Sequence, residues 1–251
     1  MTTWVLLRGL AREPGHWGSF TEHFGDALQP GDRMIALDLP GNGALHAACS
    51  PLTIAAMAVA CRDGLRQRGA PPPYVLVALS LGGMVALQWS QESPEEIEGC
   101  VLINSSVGGR SPFWERLRPR NYARVLRLLL PGLPAQAREG RVLAMTSAAP
   151  GRHPHVIAQW AAIANDRPVS VSNVVRQLVA AARYQQPRTP PAVPVLLLAS
   201  ARDQLVSPRC SLRLASAWAV PLVLHLHAGH DLPLDDPEWV IDQIQRWWRD
   251  R

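Results

Sequence analysis

Short apolar runs set the rhythm of this 251-residue chain. They fall at residues 4–7, 34–37, 74–79, 100–103, 195–199 and 222–226, and a polar or glycine-containing turn follows each. Helix-compatible stretches lie between most of them, at 53–68, 84–90, 210–218 and 239–248. A near-continuous apolar strand must be covered on both faces, so this alternation predicts an α/β fold with a mostly parallel sheet and helices on both sides. In such sheets function gathers past the carboxyl ends of the strands.

The rhythm breaks between residues 103 and 195. That interval is arginine-rich and helix-compatible at 113–130, 138–145, 155–164 and 171–184, punctuated by Pro131, Pro134, Pro150 and Pro168. The run Pro187-Arg188-Thr189-Pro190-Pro191 reads as a linker back into the sheet. The expected organisation is a first core part (1–107), a helical lid or cap insertion over the carboxyl edge (108–190) and a second core part (191–251). No internal repeat or low-complexity tract interrupts it.

Candidate chemistry begins at residues 74–83, Tyr-Val-Leu-Val-Ala-Leu-Ser-Leu-Gly-Gly. The order is strand, sharp turn with Ser80 at its apex, then helix. Ala78 and Gly82 leave room for the chain to fold back, which lifts the Ser80 hydroxyl clear of the sheet. The backbone N–H of Leu81 then lies at a helix start, where it can face developing negative charge. This is a nucleophile elbow with alanine at its first small position.

Composition narrows the classes. A hydrophobic fraction of 47% and a charged fraction of 18% fit a globular chain and exclude disorder. The net charge of +5 would suit nucleic acid or acidic partners, yet no block of consecutive arginines and no nucleic-acid module is present. Lysine is absent, so every basic group is arginine or histidine. Cys49, Cys61, Cys100 and Cys210 are scattered without a C-x-x-C pair, which argues for buried free thiols rather than a metal site or disulfide framework. The first residues lack a basic segment followed by a long apolar one, and no apolar run reaches membrane-spanning length. A cytoplasmic protein without a membrane span is expected.

A serine hydroxyl needs a base within reach, and that base needs an orienting carboxylate. Past the run at 195–199 comes Ser200-Ala201-Arg202-Asp203-Gln204-Leu205-Val206, and past 222–226 comes His227-Ala228-Gly229-His230-Asp231. Asp38-Leu39-Pro40-Gly41-Asn42-Gly43 is similar to a D-x-x-G-x-G loop. Ala201–Val206 resembles a G-x-x-D-x-[LV]-V acid loop, and Gly229-His230 ahead of Asp235-Asp236-Pro237-Glu238 resembles a histidine loop. Together with the elbow, in this order at strand ends, these pieces resemble the α/β-hydrolase fold superfamily, lid-bearing serine esterase type. The resemblance covers essentially the whole chain, weakly across the lid, and implies the sheet without its usual first hairpin.

Carried over residue by residue, the resemblance implies Ser80 as nucleophile, His230 as general base and then acid, and Asp203 as its orienting carboxylate. It implies an oxyanion hole from the backbone N–H groups of Leu10 and Leu81, and no metal or organic cofactor. Arg8 stands where the family keeps a histidine, which puts a positive charge near the site. His225 and His227 compete with His230, but their two-residue spacing in the strand suits satisfied sheet histidines. Asp231, Asp235 and Asp236 compete with Asp203; the last two, ahead of Pro237, suit a helix cap. Asn104 ends a strand where some relatives keep the acid.

Arg8, Trp17 and Trp160 are candidate pocket residues, with aromatic packing the alternative for Trp17. Arg120, Arg124 and Arg127 fall at helical i, i+4, i+7 spacing, either as a solvated face or as a dock for an acyl carrier protein. Three functions follow: a carboxylesterase for small to medium apolar esters, an esterase or thioesterase acting on a carrier- or CoA-linked acyl group, and a non-catalytic ligand-binding protein. The sequence carries no sign of oligomeric state.

Overall fold

Alternate residues of each strand face opposite layers, and both layers are buried at the centre of the sheet. The computed structural model describes residues 2–130, 132–185 and 189–251, so Pro131, Pro187 and Arg188 of the sequence reading lie outside the described residues. Six strands, β1 (Thr3–Leu7), β2 (Arg33–Leu37), β3 (Tyr74–Leu79), β4 (Ile97–Ile103), β5 (Val195–Ser200) and β6 (Leu222–His225), pair in the order β2-β1-β3-β4-β5-β6. Every pairing is parallel. Tyr74, Leu76 and Ala78 of β3 enter one core cluster, whereas Val75, Val77 and Leu79 enter the other. β1 divides in the same way, Val5 and Leu7 against Trp4 and Leu6.

Helices cover both faces. On one lie α2 (Ile54–Gln67), α3 (Leu81–Glu92) and α9 (Arg209–Trp218), which contribute Met57, Leu65, Val85 and Leu214 to the core. On the other lie α1 (Ser19–Asp26), α10 (Leu232–Asp235) and α11 (Pro237–Arg249), with Phe20, Phe24, Leu232, Val240 and Ile244. Each such side chain contributes roughly 1.5–3 kcal/mol through burial. Thr53 caps α2 and Asp236 caps α11, each accepting a backbone N–H of the first turn.

Between β4 and β5 every regular element among the described residues is helical: α4 (Phe113–Arg116), α5 (Tyr122–Leu128), α6 (Ala135–Thr146), α7 (Val156–Asp166) and α8 (Val171–Arg183). The ends of this segment meet, since Gly108 bridges to Gln185 and its N–H donates to the Tyr184 carbonyl at 3.0 Å. The stretch at 113–130 is not one helix. Leu117 and Arg118 are extended ahead of Pro119, as the residues before a proline prefer, and a short turn at Pro119–Asn121 separates α4 from α5. Cys61, Cys100 and Cys210 are buried, and burial pushes the thiols of Cys61 and Cys100 up to about 12, where they are inert. Cys49 departs from the expectation of buried thiols: it is exposed. Among the described residues no helix is long and apolar enough to cross a membrane.

Candidate active site

Ser80 sits between the last residue of β3 and the first of α3, at φ 55 and ψ −114. A side chain there costs of order 1–3 kcal/mol in backbone strain, so the surroundings must impose it. The Ser80 N–H donates to the Ile103 carbonyl at 2.9 Å, its carbonyl accepts from Gly83 N–H at 3.0 Å, and the Ser105 hydroxyl donates to the same carbonyl at 2.8 Å. Gly82 permits the close turn. A Cβ there would lie 2.4 Å from the Leu7 carbonyl oxygen and 2.7 Å from that of Arg8. Ala78 stands in the ladder, buried and opposite Leu7 and Leu102, so the turn accepts it in place of glycine. Leu81 opens α3, where a backbone N–H lacks an intrahelical acceptor.

Past β6, His230 is buried with its Nδ1 2.7 Å from Asp203 Oδ2. That contact assigns the ring proton to Nδ1 and leaves Nε2 to accept. Asp203 Oδ1 accepts the backbone N–H groups of Leu205 (2.7 Å) and Val206 (2.9 Å), which fix the carboxylate plane. Asn104, at φ 46, steers the histidine loop from below. Its Nδ2 donates to the His230 carbonyl at 2.9 Å and to Ser200 Oγ at 3.0 Å, and its Oδ1 accepts from the Ser200 N–H at 2.8 Å. Burial alone would lower the His230 pKa, but the charge and hydrogen bond of Asp203, reinforced by Asp231, outweigh it and hold His230 above the ordinary histidine value.

The rival residues have other partners. His225 Nε2 lies 3.0 Å from Asp236, while its Nδ1 accepts the backbone N–H groups of His227 and Ala228. His227 is exposed beyond the strand. Asp235 does not cap α11 as its place before Pro237 suggested. It accepts from the Ser147 hydroxyl (2.5 Å), the Ala148 N–H (2.8 Å) and the Gly229 N–H (2.6 Å), tying the helical segment to the histidine loop.

Asp231 is claimed from across the cleft. Arg8, at the end of β1, grips it with Nη1 to Oδ1 at 3.0 Å and Nη2 to Oδ2 at 2.6 Å, and both side chains are at least 95% buried. The guanidinium also lies over the Trp17 ring, 4.8 Å from its centroid. Burial works against the Asp231 charge, yet Arg8 prevails and holds its carboxyl below the usual range. This pair joins the loop of Leu10 to the loop of His230. Ala11, at φ 53, turns that first loop, and its N–H donates to Gln177 Oε1 at 2.8 Å. Gln177, fully buried on α8, donates in turn to Asn42 Oδ1 at 2.8 Å, inside the D-x-x-G-x-G-like loop.

A cavity of about 190 Å³ brings these parts together: Ser80, His230, Asp231, Arg8 and Leu10 line one side. Leu128, Leu129, Val142, Met145 and Leu178 of the helical segment line the other. The segment also grips the acid loop, where Asn121 Nδ2 donates to the Gln204 carbonyl at 2.7 Å and Arg118 N–H to that of Leu205 at 2.9 Å. Trp17 and Trp160, expected in the pocket, stand one layer behind it. Trp17 stacks on Phe20 at 5.2 Å and backs Arg8, while Trp160 backs Arg12 at 4.4 Å. Arg124 and Arg127 do share a surface hollow, joined by Arg141, but Arg120 lies in the turn before α5 and donates to the Gln204 carbonyl instead. Sequence reasoning missed Arg12, Glu139, Gln177 and the Arg8–Asp231 pair, whose partners lie far apart in the chain.

The model of the alpha/beta hydrolase family matches residues 4–243. Over 102 residues, 41% of this chain, the sequence is 31% identical to a pimeloyl-[acyl-carrier protein] methyl ester esterase of Nitrosomonas europaea, and the match spans 36% of that protein's length. A thermophilic esterase from Thermogutta terrifontis in its malate-bound structure superposes with a TM-score of 0.79 at 21% identity, over 100% of this chain and 90% of that one. The enol-lactonase from Burkholderia xenovorans LB400 does so with a TM-score of 0.80 at 19% identity, over 99% and 91%. At such identities the two superpositions establish the fold.

Proposed function

This chain belongs to the alpha/beta hydrolase family, and from that premise we propose that it is a serine hydrolase cleaving small to medium carboxylic esters through an acyl-enzyme. His230 takes the proton of Ser80 as the oxygen attacks the ester carbonyl. The Leu10 and Leu81 N–H groups receive the charge that develops on the carbonyl oxygen, each worth ~3–4 kcal/mol in such sites. Asp203 stabilises the imidazolium. The alcohol leaves with the proton from His230, and water repeats the sequence on the acyl-serine. The segment at 108–190 acts as the lid that excludes bulk water from the cavity. One arrangement carries this reading: Ser80, strained to φ 55, opens on the same cavity as His230, whose Nδ1 is 2.7 Å from Asp203.

The purified protein is expected to cleave p-nitrophenyl butyrate, and Ser80→Ala to lower kcat by at least roughly 10⁴-fold. Turnover retained in that variant, or no labelling of Ser80 by a fluorophosphonate, would overturn the assignment and favour a non-catalytic binding protein.

A second reading takes the ester on an acyl carrier protein. Arg124, Arg127 and Arg141 line an exposed hollow that reaches Met145, and Met145 also lines the cavity of Ser80. An acidic carrier seated on those arginines would deliver its acyl chain past Met145. In the same assay, a carrier-linked methyl ester should turn over in a salt-sensitive manner, and Arg124→Glu with Arg127→Glu should weaken it. Salt-independent turnover counts against the carrier.

A further inference from the structure

Charge is not balanced inside the cavity. Its lining holds three guanidinium groups, Arg8, Arg12 and Arg138, against two carboxylates, Glu139 and Asp231. Arg8 is matched by Asp231, and Arg12 Nη1 by Glu139 at 2.6 Å. Among the described residues Arg138 has no carboxylate within salt-bridge distance; its Nη2 reaches only the Leu133 carbonyl, at 3.4 Å. Among the described residues its Nε is buried without a partner, and so is Nη2 of Arg12. A neighbouring hollow of about 110 Å³ shares Arg12, Arg138, Glu139, Leu128 and Leu129 with the first, so these donors stand where two chambers meet. That hollow adds Glu13 and Arg167, which pair with each other at 3.0 Å and leave the surplus unchanged.

A buried donor without an acceptor costs about 1–3 kcal/mol, and a simple alkyl ester, its carbonyl oxygen committed to the Leu10 and Leu81 N–H groups, brings no charged acceptor to relieve it. Arg138 is the lining guanidinium left without a carboxylate among the described residues, and the planar fork of arginine suits one. The flanking Leu128, Leu129 and Val142 suit a short methylene chain. Resting on the esterase reading above, we propose that the preferred substrate is a half-ester of a dicarboxylic acid, its free carboxylate held by Arg138 and the unpaired Nη2 of Arg12. Arg138 is thus the specificity-determining residue, and Glu139 keeps Arg12 in place.

Two substrates with one leaving group test this: mono-p-nitrophenyl glutarate and its neutral counterpart, p-nitrophenyl methyl glutarate. The anionic ester is expected to show a kcat/KM at least 10-fold higher, the difference lying in KM. Arg138→Met should collapse that ratio towards one, and Arg138→Lys should restore part of it. The fluorophosphonate labelling rate at Ser80 normalises each variant for the integrity of its reaction centre. A ratio near or below one in the parent protein, or one that Arg138→Met leaves intact, overturns the proposal. Glutarate binding followed by calorimetry reads the anion site without turnover, so a failure of the esterase reading stays distinct. Binding lost in Arg138→Met supports the site, and no binding by the parent protein removes it.

Discussion

Ser80 and Arg8 stand at the ends of neighbouring strands, and the chain holds them by opposite means. At Ser80 the work is steric and backbone-borne. A left-handed turn is locked by hydrogen bonds to main-chain atoms, with Gly82 pressed under the Leu7 and Arg8 carbonyls. At Arg8 the work is electrostatic: a bidentate ion pair, taken out of water, bridges two loops. The first device is indifferent to pH and salt. The second depends on both charges being present, because a lone buried ion costs more than the pair. The site thus combines a permanent fixture with a conditional one, a short distance apart on the same sheet edge.

The largest break in that comparison should come from Arg8→Met, which leaves Asp231 buried and alone. It is expected to cost about 3–5 kcal/mol in denaturant unfolding, whereas the double variant Arg8→Met/Asp231→Leu should recover most of the loss. A cost below about 1 kcal/mol for the single change would mean that the pair holds nothing. Gly82→Ala should cost about 1–3 kcal/mol from overpacking, because the methyl group meets the Leu7 and Arg8 carbonyls and the main chain itself has to move. Its signature would be a fall in kcat at unchanged pH dependence; a moved pH profile would erase the distinction between the two devices.

The smallest effect is the most discriminating. In the proposed mechanism the base must be neutral to accept the serine proton, and His230 is held above the ordinary histidine value, so kcat/KM should rise with pH through that elevated pKa. Asp231→Asn removes a charge that raises it and leaves Arg8 to lower it, so the acid limb should move to lower pH. Arg8→Met should move it the other way. Coincident limbs in all three proteins would show that the pair does not reach the imidazole.

The same contrast governs what the sequence discloses. Strands apolar on both faces announce themselves, and all six sheet strands fall where such runs lie. The ends of β5 and β6 therefore located Asp203 and His230. α1 escaped, although Phe20 and Phe24 sit at i, i+4, because the helix is short, eight residues with only two of them buried. The single helix read at 113–130 fails at Pro119, whose effect on its predecessors was the available warning. Arg8 was recognisable as unusual, but its partner is 223 residues away and paired across the cleft, beyond any local pattern. Separations of 127 and 166 residues likewise hid Arg12 with Glu139 and Gln177 with Ala11. Trp17 and Trp160 were drawn into the pocket by residue type, and the structure gives them to packing behind two arginines.

The grip of the helical segment carries a consequence for how such a chain can change. Asn121 and Arg118 hold the acid loop, Asp235 binds Ser147 and Ala148 to the histidine loop, and Gln177 holds the loop of Leu10. Each loop that borders Ser80 leans on the segment for part of its shape. The segment is therefore not a cassette that could be exchanged for a relative's to acquire a new preference. A graft would arrive without these three footholds, and the recipient would inherit a differently shaped pocket in which Ser80 and His230 had lost their alignment. Altered preference in this lineage is more accessible through single residues on the inner wall than through wholesale replacement of the roof.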